Sequence, residues 1–379
     1  VTLDELRTPA LILDRARLER NLAAMSARMR ARGVDLRPHL KTAKSIDVAR
    51  LATAGHSGAI TVSTLDEAAY FARAGFGDIV YAVGIAPGKL ADVAAIQADG
   101  ARLAVITDSV EVARAIAAHP AGATVPFRVL IEIDSGAGRA GLAPDDPALT
   151  EIARILDDAP GAELRGVLTH AGHSYGCRDI EAIEAVAEDE RRAVVDAAAR
   201  LRAAGHACPV VSVGSTPTAV FARDLDGVTE ARPGVYMFFD LYQVGLGCCG
   251  LDDVALTVLA TVIGHRRAEG QLLIDAGALA LSQDRSTAGQ DEDQGYGRLF
   301  DARGARALDR LRVVAVNQEH GIVAPSMSGG AARFDDLPIG ARVRVMPNHA
   351  CMTAAAYDRY HVVEGGEEVV AVWPRTNGW

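Results

Sequence analysis

The sequence predicts an α/β fold: a (β/α)8 barrel over residues 14–245, followed by a β-rich domain over residues 250–379. Three observations carry this. Short apolar runs alternate with alanine-rich stretches eight times before residue 245, and neighbouring parallel strands need such crossovers. Beyond residue 250 helical patterns nearly vanish, and apolar runs follow one another with turns between. At 379 residues the chain is also too long for one small core.

The first helix follows Asp14, an N-cap residue, and places Leu18, Leu22, Met25 and Met29 at helical spacing. Because this helix precedes the first barrel strand, the extended segment Pro9 to Leu13 must pair elsewhere, and residues 1–13 are assigned to the second domain. Barrel strands are expected near 34–38, 59–62, 79–83, 103–106, 127–133, 165–169, 209–213 and 233–238. The stretches 65–74, 88–98, 109–118, 147–158 and 180–204 suit helices, since alanine has the best helix propensity. In the second domain, strands are expected at 254–263, 271–274, 311–316, 341–346 and 369–373. Residues 283–298 form a long polar loop without periodicity, a length that signals disorder or function.

A net charge of −10 with no basic block argues against a nucleic-acid or anionic-membrane partner. No apolar run approaches membrane-spanning length, and Val1 to Leu6 lacks the features of a signal peptide. Five cysteines, two of them adjacent at Cys248 and Cys249, do not make a disulfide framework. A cytoplasmic protein is expected.

The segment Arg37-Pro38-His39-Leu40-Lys41-Thr42-Ala43-Lys44 is the most informative. Its two lysines follow Val34-Asp35-Leu36, which reads as a buried strand. A lysine at a strand's C-terminal end is costly to bury without a partner or a chemical role. Its pKa falls readily on burial, which suits Schiff-base chemistry. Both lysines on an exposed loop is the simpler reading of the segment alone. In a barrel, however, reactive residues come from C-terminal strand ends. Those ends also carry Asp134 and Arg139, His170, Gly214-Ser215-Thr216, and Arg232-Pro233-Gly234-Val235. Asp134 could cap a helix, His170 could be a core histidine, and Gly-Ser-Thr could be a plain turn. Their convergence on one rim points to a site.

Gly214, Ser215 and Thr216 precede a short helix beginning near Pro217. They offer two hydroxyls and backbone N–H groups at a helix N-terminus, which is an anion site. Gly234 would let backbone approach the same anion. A phosphate beside a lysine, a histidine and an arginine suggests pyridoxal 5′-phosphate. Farther on, His349 and Cys351 stand two apart on what reads as a strand, so they would share a face. An imidazole and a thiolate favour zinc. A buried cysteine near an ordinary histidine is the competing reading.

These motifs resemble those of fold-type III pyridoxal-phosphate enzymes, the D-serine dehydratase and D-threonine aldolase family. The likeness runs from Thr8-Pro9 to the end of the chain. It is specific at Arg37 to Lys41, Thr61-Val62-Ser63-Thr64, Gly214 to Thr218, Asn317-Gln318-Glu319-His320-Gly321 and Pro347-Asn348-His349-Ala350-Cys351. The resemblance implies a TIM-type, alanine racemase-like barrel in which Lys41, not Lys44, carries the cofactor. It implies His170 against the ring, Arg139 at the phenolic oxygen and Arg232 at the ring nitrogen. Tyr175, Gly214, Ser215, Thr216, Gly234 and Val235 complete that set. His349 and Cys351 become ligands of zinc or another divalent metal, because dehydratase-like members have His-x-Cys where typical aldolases have His-x-Asp. Gln318 and His320 are the substrate candidates. A homodimer is implied, in which the second domain of one subunit completes the site of the other.

The implied reaction is metal-assisted β-elimination from a D-3-hydroxy amino acid, giving a 2-oxo acid and ammonia. Retro-aldol cleavage to glycine and an aldehyde uses the same parts, and Cys351 argues against it. A racemase needs a second acid/base on the opposite face, and no tyrosine in the sequence identifies itself for that role. A non-catalytic pyridoxal-phosphate carrier would lack the second domain. D-serine, D-threonine and D-threo-3-hydroxyaspartate share the reacting atoms. The resemblance favours the last, whose extra carboxylate would call on Arg285, Arg298 or His320.

Overall fold

The computed structural model describes residues 1–325 and 334–379. The chain divides into two compact units: Val1–Ala23 with Val235–Arg375, and Ala24–Gly234 with Thr376–Trp379. It opens with β1 (Ala10–Asp14) and α1 (Arg15–Ala31), which Asp14 caps by accepting the Arg17 N–H at 3.1 Å.

The second unit then runs β2 (Asp35–Leu36), α2 (Ile46–Ala52), β3 (Ile60–Val62), α3 (Leu65–Arg73), β4 (Asp78–Gly84), α4 (Leu90–Ala98), β5 (Arg102–Thr107) and α5 (Val110–Ala118). It continues with β6 (Phe127–Ile133), α6 (Ala148–Asp157), β7 (Ala162–Thr169), α7 (Ile180–Ala203), β8 (Val210–Val213), α8 (Thr216–Phe221) and β9 (Glu230–Ala231). The eight strands are parallel, in the order β2-β9-β8-β7-β6-β5-β4-β3. The two ends meet just beyond β2, where Leu40 N–H donates to Thr61 O at 2.8 Å and Thr61 N–H to Pro38 O at 3.0 Å. The sheet is therefore closed.

Strands covered on both faces carry apolar residues at successive positions, as Leu103 to Ile106 of β5 and Val129 to Ile131 of β6 do. Helix starts are signalled by side-chain caps at Thr64, Ser109 and Asp179. Val80, Ala104, Ile106, Leu130 and Leu168 pack together within the barrel. Arg37 bonds both Asp78 and Glu230 at 2.8 Å, tying β2 to β4 and β9. The expected eighth strand at 233–238 is corrected: pairing occurs at Glu230–Ala231, and Val235–Met237 forms a 3₁₀ turn. The run Val235 to Phe239 is buried, but burial alone does not specify extended backbone.

The first unit adds α9 (Leu241–Gly245), β10 (Leu256–Arg266), β11 (Gln271–Ile274), α10 (Ala278–Leu281), β12 (Arg298–Asp301), β13 (Ala307–Val316) and β14 (Gly321–Pro325). After these come β15 (Arg342–Met346), α11 (Ala350–Ala354), β16 (Arg359–Val363) and β17 (Ala371–Pro374). Strands β11, β14, β13, β12, β15 and β10 are antiparallel neighbours, and β10 pairs back to β11 to close a second barrel. Strand β1 pairs with β10 and β16. Strands β12, β14 and β16 were not expected; arginines, glycine or proline interrupt their apolar patterns.

The expected boundaries shift at both ends. Residues 14–23 and 235–245 belong to the first unit, where Asn21 donates to Met237 O and Asp253 O and Arg17 donates to Val254 O. The last four residues belong with the parallel barrel, and Thr376 N–H donates to Lys44 O at 2.8 Å. Among the described residues no helix is long and apolar enough to cross a membrane.

Candidate active site

A cavity of about 340 Å³ opens at the C-terminal ends of the parallel strands. Ile106 and Leu168 contribute apolar wall, as part of the barrel's inward-facing cluster. Polar lining comes from the residues just beyond successive strands: His39 and Lys41 after β2, Ser63 after β3, Glu132 and Arg139 from β6 and its loop, His170 after β7, Gly214 after β8 and Arg232 after β9. Five residues expected at this rim, Lys41, Arg139, His170, Gly214 and Arg232, are thus brought together.

The two lysines separate clearly. Lys44 Nζ lies 3.1 Å from Glu67 Oε1, a carboxylate on a residue only 1% exposed. Lys41 lines the cavity with no ion pair among the described residues. Burial first, and then Lys41, hold both histidines below the ordinary imidazole pKa; Arg139 and Arg232 add to the effect. His170 falls to about 3. It bonds Gly214 O through Nδ1, so Nδ1 carries the proton and Nε2 remains an acceptor. Tyr175 lies near it, with ring centroids 6.5 Å apart.

Arg232 is buried and donates its Nη groups to Thr169 O and Val213 O, while its Nε–H has no partner among the described residues. Arg139 is exposed and stands 3.7 Å from Glu132. Burial raises the Glu132 pKa, against the pull of Arg139. The cavity therefore holds three cationic groups, two neutral imidazoles and one reluctant carboxylate. Such a balance suits an anionic ligand.

Two details of the expected anion site are corrected. Gly214 N–H already donates to Glu190 Oε1 at 3.1 Å, and the Ser215 hydroxyl bonds Ser174 and Thr218 at 3.0 and 2.7 Å while capping α8. Ser215 and Thr216 are buried. These groups build the turn. Gly234 is needed for a different reason than expected: a Cβ there would lie 2.9 Å from His39 O. Gly214 likewise makes room for Arg232, which a Cβ would meet at 2.8 Å. Val235 opens the other unit. Asp134 caps its own loop, accepting from Gly136, Ala137 and Gly138.

Glu190 was missed in the sequence. It is 1% exposed and accepts Ala171 N–H at 2.9 Å, Gly214 N–H at 3.1 Å and the Thr218 hydroxyl at 2.6 Å. One carboxylate thereby sets both the His170 loop and the Gly214 turn. The signal was present, because Glu190 interrupts the apolar stripe Ile183, Ala187, Val194, Ala197 and Leu201 of α7. Glu190→Ala leaves three buried donors without an acceptor and is expected to cost about 3 kcal/mol or more, measured by chemical denaturation. Glu190→Gln, which keeps an acceptor, should cost well under half of that.

In the other unit, His349 and Cys351 are not on a strand as expected. His349 is the extended N-cap of α11 and Cys351 lies in that helix's first turn. The helix turn still brings the thiol within hydrogen-bonding range of the imidazole. His349 Nδ1 is 3.1 Å from Asp284 Oδ2. Burial opposes charge on His349, yet Asp284, Cys351 and Asp240 outweigh it and raise its pKa to about 11. Asp240, pushed up to about 6 by burial, accepts Ala350 N–H at 2.9 Å and fixes the turn. With the Asp284 carboxylate on Nδ1, Nε2 is the nitrogen that a metal could use. Among the described residues no three His, Cys, Asp or Glu side chains form a metal cluster.

Loop 283–298 finds its role here. It supplies Asp284, and Asn348 Nδ2 bonds Asp284 O and Gly295 O at 3.0 and 2.6 Å. Arg285 pairs with Asp293 and lies over Tyr296. Arg298 lies on β12 and is half-buried. Gln318 and His320 sit on the exposed turn between β13 and β14.

The parallel barrel and its cavity define a class: a (β/α)8 enzyme with a cationic cavity at the strand ends and a lysine that makes no ion pair among the described residues. The chain belongs to the family described as alanine racemase, N-terminal domain, which matches residues 13–241, and residues 255–363 match a serine dehydratase domain. It is 49% identical to D-threo-3-hydroxyaspartate dehydratase of Delftia sp. strain HT23, covering 100% of this chain and 99% of that protein. It is 30% identical to D-serine dehydratase of Dictyostelium discoideum, covering 100% and 98%. A cysteine-to-alanine mutant of D-threo-3-hydroxyaspartate dehydratase, solved in the metal-free form, superposes with a TM-score of 0.95 at 49% identity over the whole of both chains. A histidine-to-alanine mutant two positions earlier has also been solved.

Proposed function

We propose that this chain is a pyridoxal-phosphate- and metal-dependent dehydratase that eliminates water from D-3-hydroxy amino acids, D-threo-3-hydroxyaspartate first among them. The observation that carries the reading is the His349–Cys351 pair backed by Asp284. Its spacing of two matches that of the histidine and cysteine replaced in the dehydratase mutants. Full-length identity of 49% to that dehydratase supports the substrate class.

The residues present fit both groups. Pyridoxal phosphate, when bound, makes the substrate's Cα–H acidic by withdrawing electrons from Cα. Lys41 would hold it covalently, with Arg139, His170 and Arg232 around it; the unpartnered Arg232 Nε–H suits an acceptor on the ligand. Tyr175 and the 214–216 and 234–235 backbone complete the proposed set. A zinc ion on His349 and Cys351 supplies Lewis-acid help to the departing 3-hydroxyl, a poor leaving group unaided.

The protein's own work is positional. Once substrate displaces it, the Lys41 amine takes the Cα proton. Neutral His170 does not compete for that proton, because burial and nearby cations disfavour its charged form. Glu190 keeps the His170 loop and the Gly214 turn in register. Asp284 holds His349 in the tautomer that leaves Nε2 for metal. Gln318 and His320 remain proposed substrate contacts. A cytoplasmic location belongs to the same reading, consistent with five free cysteines.

The test is product identity. Metal-replete enzyme given D-threo-3-hydroxyaspartate, D-serine and D-threonine should release ammonia with oxaloacetate, pyruvate or 2-oxobutanoate, fastest from the first. Glycine plus an aldehyde without ammonia would replace the dehydratase reading by an aldolase. We further propose a homodimer as the working form. Sedimentation at assay concentration should show a dimer, and a fully active monomer would refute it.

A further inference from the structure

We propose that Lys44, the second lysine of the 37–44 segment, is a positioning residue whose ion pair with Glu67 clamps the loop carrying Lys41. The proposal rests on the reading of Lys41 as the residue that holds the cofactor and moves the Cα proton.

The loop is tied at both ends. On one side, Leu40 N–H donates to Thr61 O at 2.8 Å, within the contact that closes the barrel. On the other, Lys44 N–H returns to Leu40 O at 2.7 Å, and Lys44 adopts a left-handed backbone at φ 49° to do so. Left-handed backbone is disfavoured for a lysine, so something must hold it there. The Nζ–Glu67 contact at 3.1 Å holds its side chain, and Thr376 N–H holds its carbonyl at 2.8 Å. Glu67 lies in the first turn of α3, and its second oxygen accepts the N–H of Ser63, a residue lining the same cavity as Lys41, at 3.0 Å. Thr64 caps α3 by accepting Glu67 N–H at 3.0 Å. One buried carboxylate therefore joins the end of β3 to the Lys41 loop. Opening the pair would leave that carboxylate buried without a counter-charge, which is costly.

Lys41 itself, between these ties, has no ion pair among the described residues. A fixed backbone with a free amine is what the proposed chemistry needs. The amine must release the cofactor to substrate and still be in place to take a proton. A misplacement near 1 Å at such a step can cost on the order of 10²-fold in rate.

The experiment compares holoenzyme with Lys44→Asn, Lys44→Arg and Glu67→Gln variants. Asparagine tolerates left-handed backbone, so Lys44→Asn removes the charge while sparing the turn. It should keep the covalent link to Lys41, seen as the visible absorption band, and hold KM within about twofold. Its kcat should fall by about 10–100-fold, and hydrogen exchange over residues 39–45 should accelerate. Lys44→Arg should recover most of the loss. The clamp is refuted if Lys44→Asn keeps wild-type kcat and exchange, or if Lys44→Arg is as impaired as Lys44→Asn. Glu67→Gln should track Lys44→Asn; should it fail to fold, the two lysine variants decide alone. Borohydride reduction of the wild-type enzyme checks the underlying reading separately. An adduct on a residue other than Lys41 overturns that reading whatever the variants do.

Discussion

Lys41→Ala is expected to lower turnover by on the order of 10⁴-fold or more and to abolish the visible absorption of the cofactor-loaded protein. A positioned general base alone contributes about 10²–10⁴, and here the same amine also anchors the cofactor. Lys44→Ala should retain the visible band, because Lys44 Nζ is committed to Glu67 at 3.1 Å whereas Lys41 faces the cavity. Borohydride reduction followed by peptide mapping checks the assignment, and an adduct on Lys44 would reverse it. Burial, above all, disfavours charge on both His39 and His170 and does so without Lys41, so neither imidazole is a ready substitute for the missing base.

The second large effect concerns metal. Cys351→Ala, or removal of metal by a chelator, should reduce elimination by about 10³-fold, since Lewis-acid assistance is worth several kcal/mol and each 1.4 kcal/mol is a decade. Exchange of the Cα proton with solvent should continue, because that step depends on Lys41. Proton exchange monitored by NMR, alongside ammonia release, separates the two. Equal loss of both would mean that the His349–Cys351 pair serves the cofactor and not the leaving hydroxyl. Asp284→Asn should weaken metal binding by about 10–100-fold, the usual consequence of removing the carboxylate behind a ligating imidazole.

Most of the parallel barrel was legible in the sequence. Strand and helix alternate with a period long enough for crossovers, and buried parallel strands carry apolar runs on both faces, as Leu103 to Ile106 of β5 and Val129 to Ile131 of β6 do. The antiparallel unit was less legible. Strands β12, β14 and β16 carry arginine, glycine or proline where a partner strand, not the local pattern, decides extended backbone. The same holds at 235–239, whose apolar character reports burial and not pairing. His349 and Cys351 stood out by type and spacing, but the spacing alone could not distinguish a strand face from a helix N-terminus.

The sequence by itself determined the residue types at the barrel rim and the order in which they arrive, because strand ends in a barrel collect whatever follows each apolar run. Only the tertiary structure decided what each of them does. Lys41 and Lys44 are the same residue three positions apart, and Glu67, twenty-three residues from Lys44, pairs with that lysine, while Lys41 has no ion pair among the described residues. Glu190 reaches the Gly214 turn from the buried face of α7, and Asp284 reaches His349 across sixty-five residues. Buried charge is governed by its nearest partner in space. Local sequence carries the charge but not the partner, so roles that depend on pairing emerge only once the chain has folded.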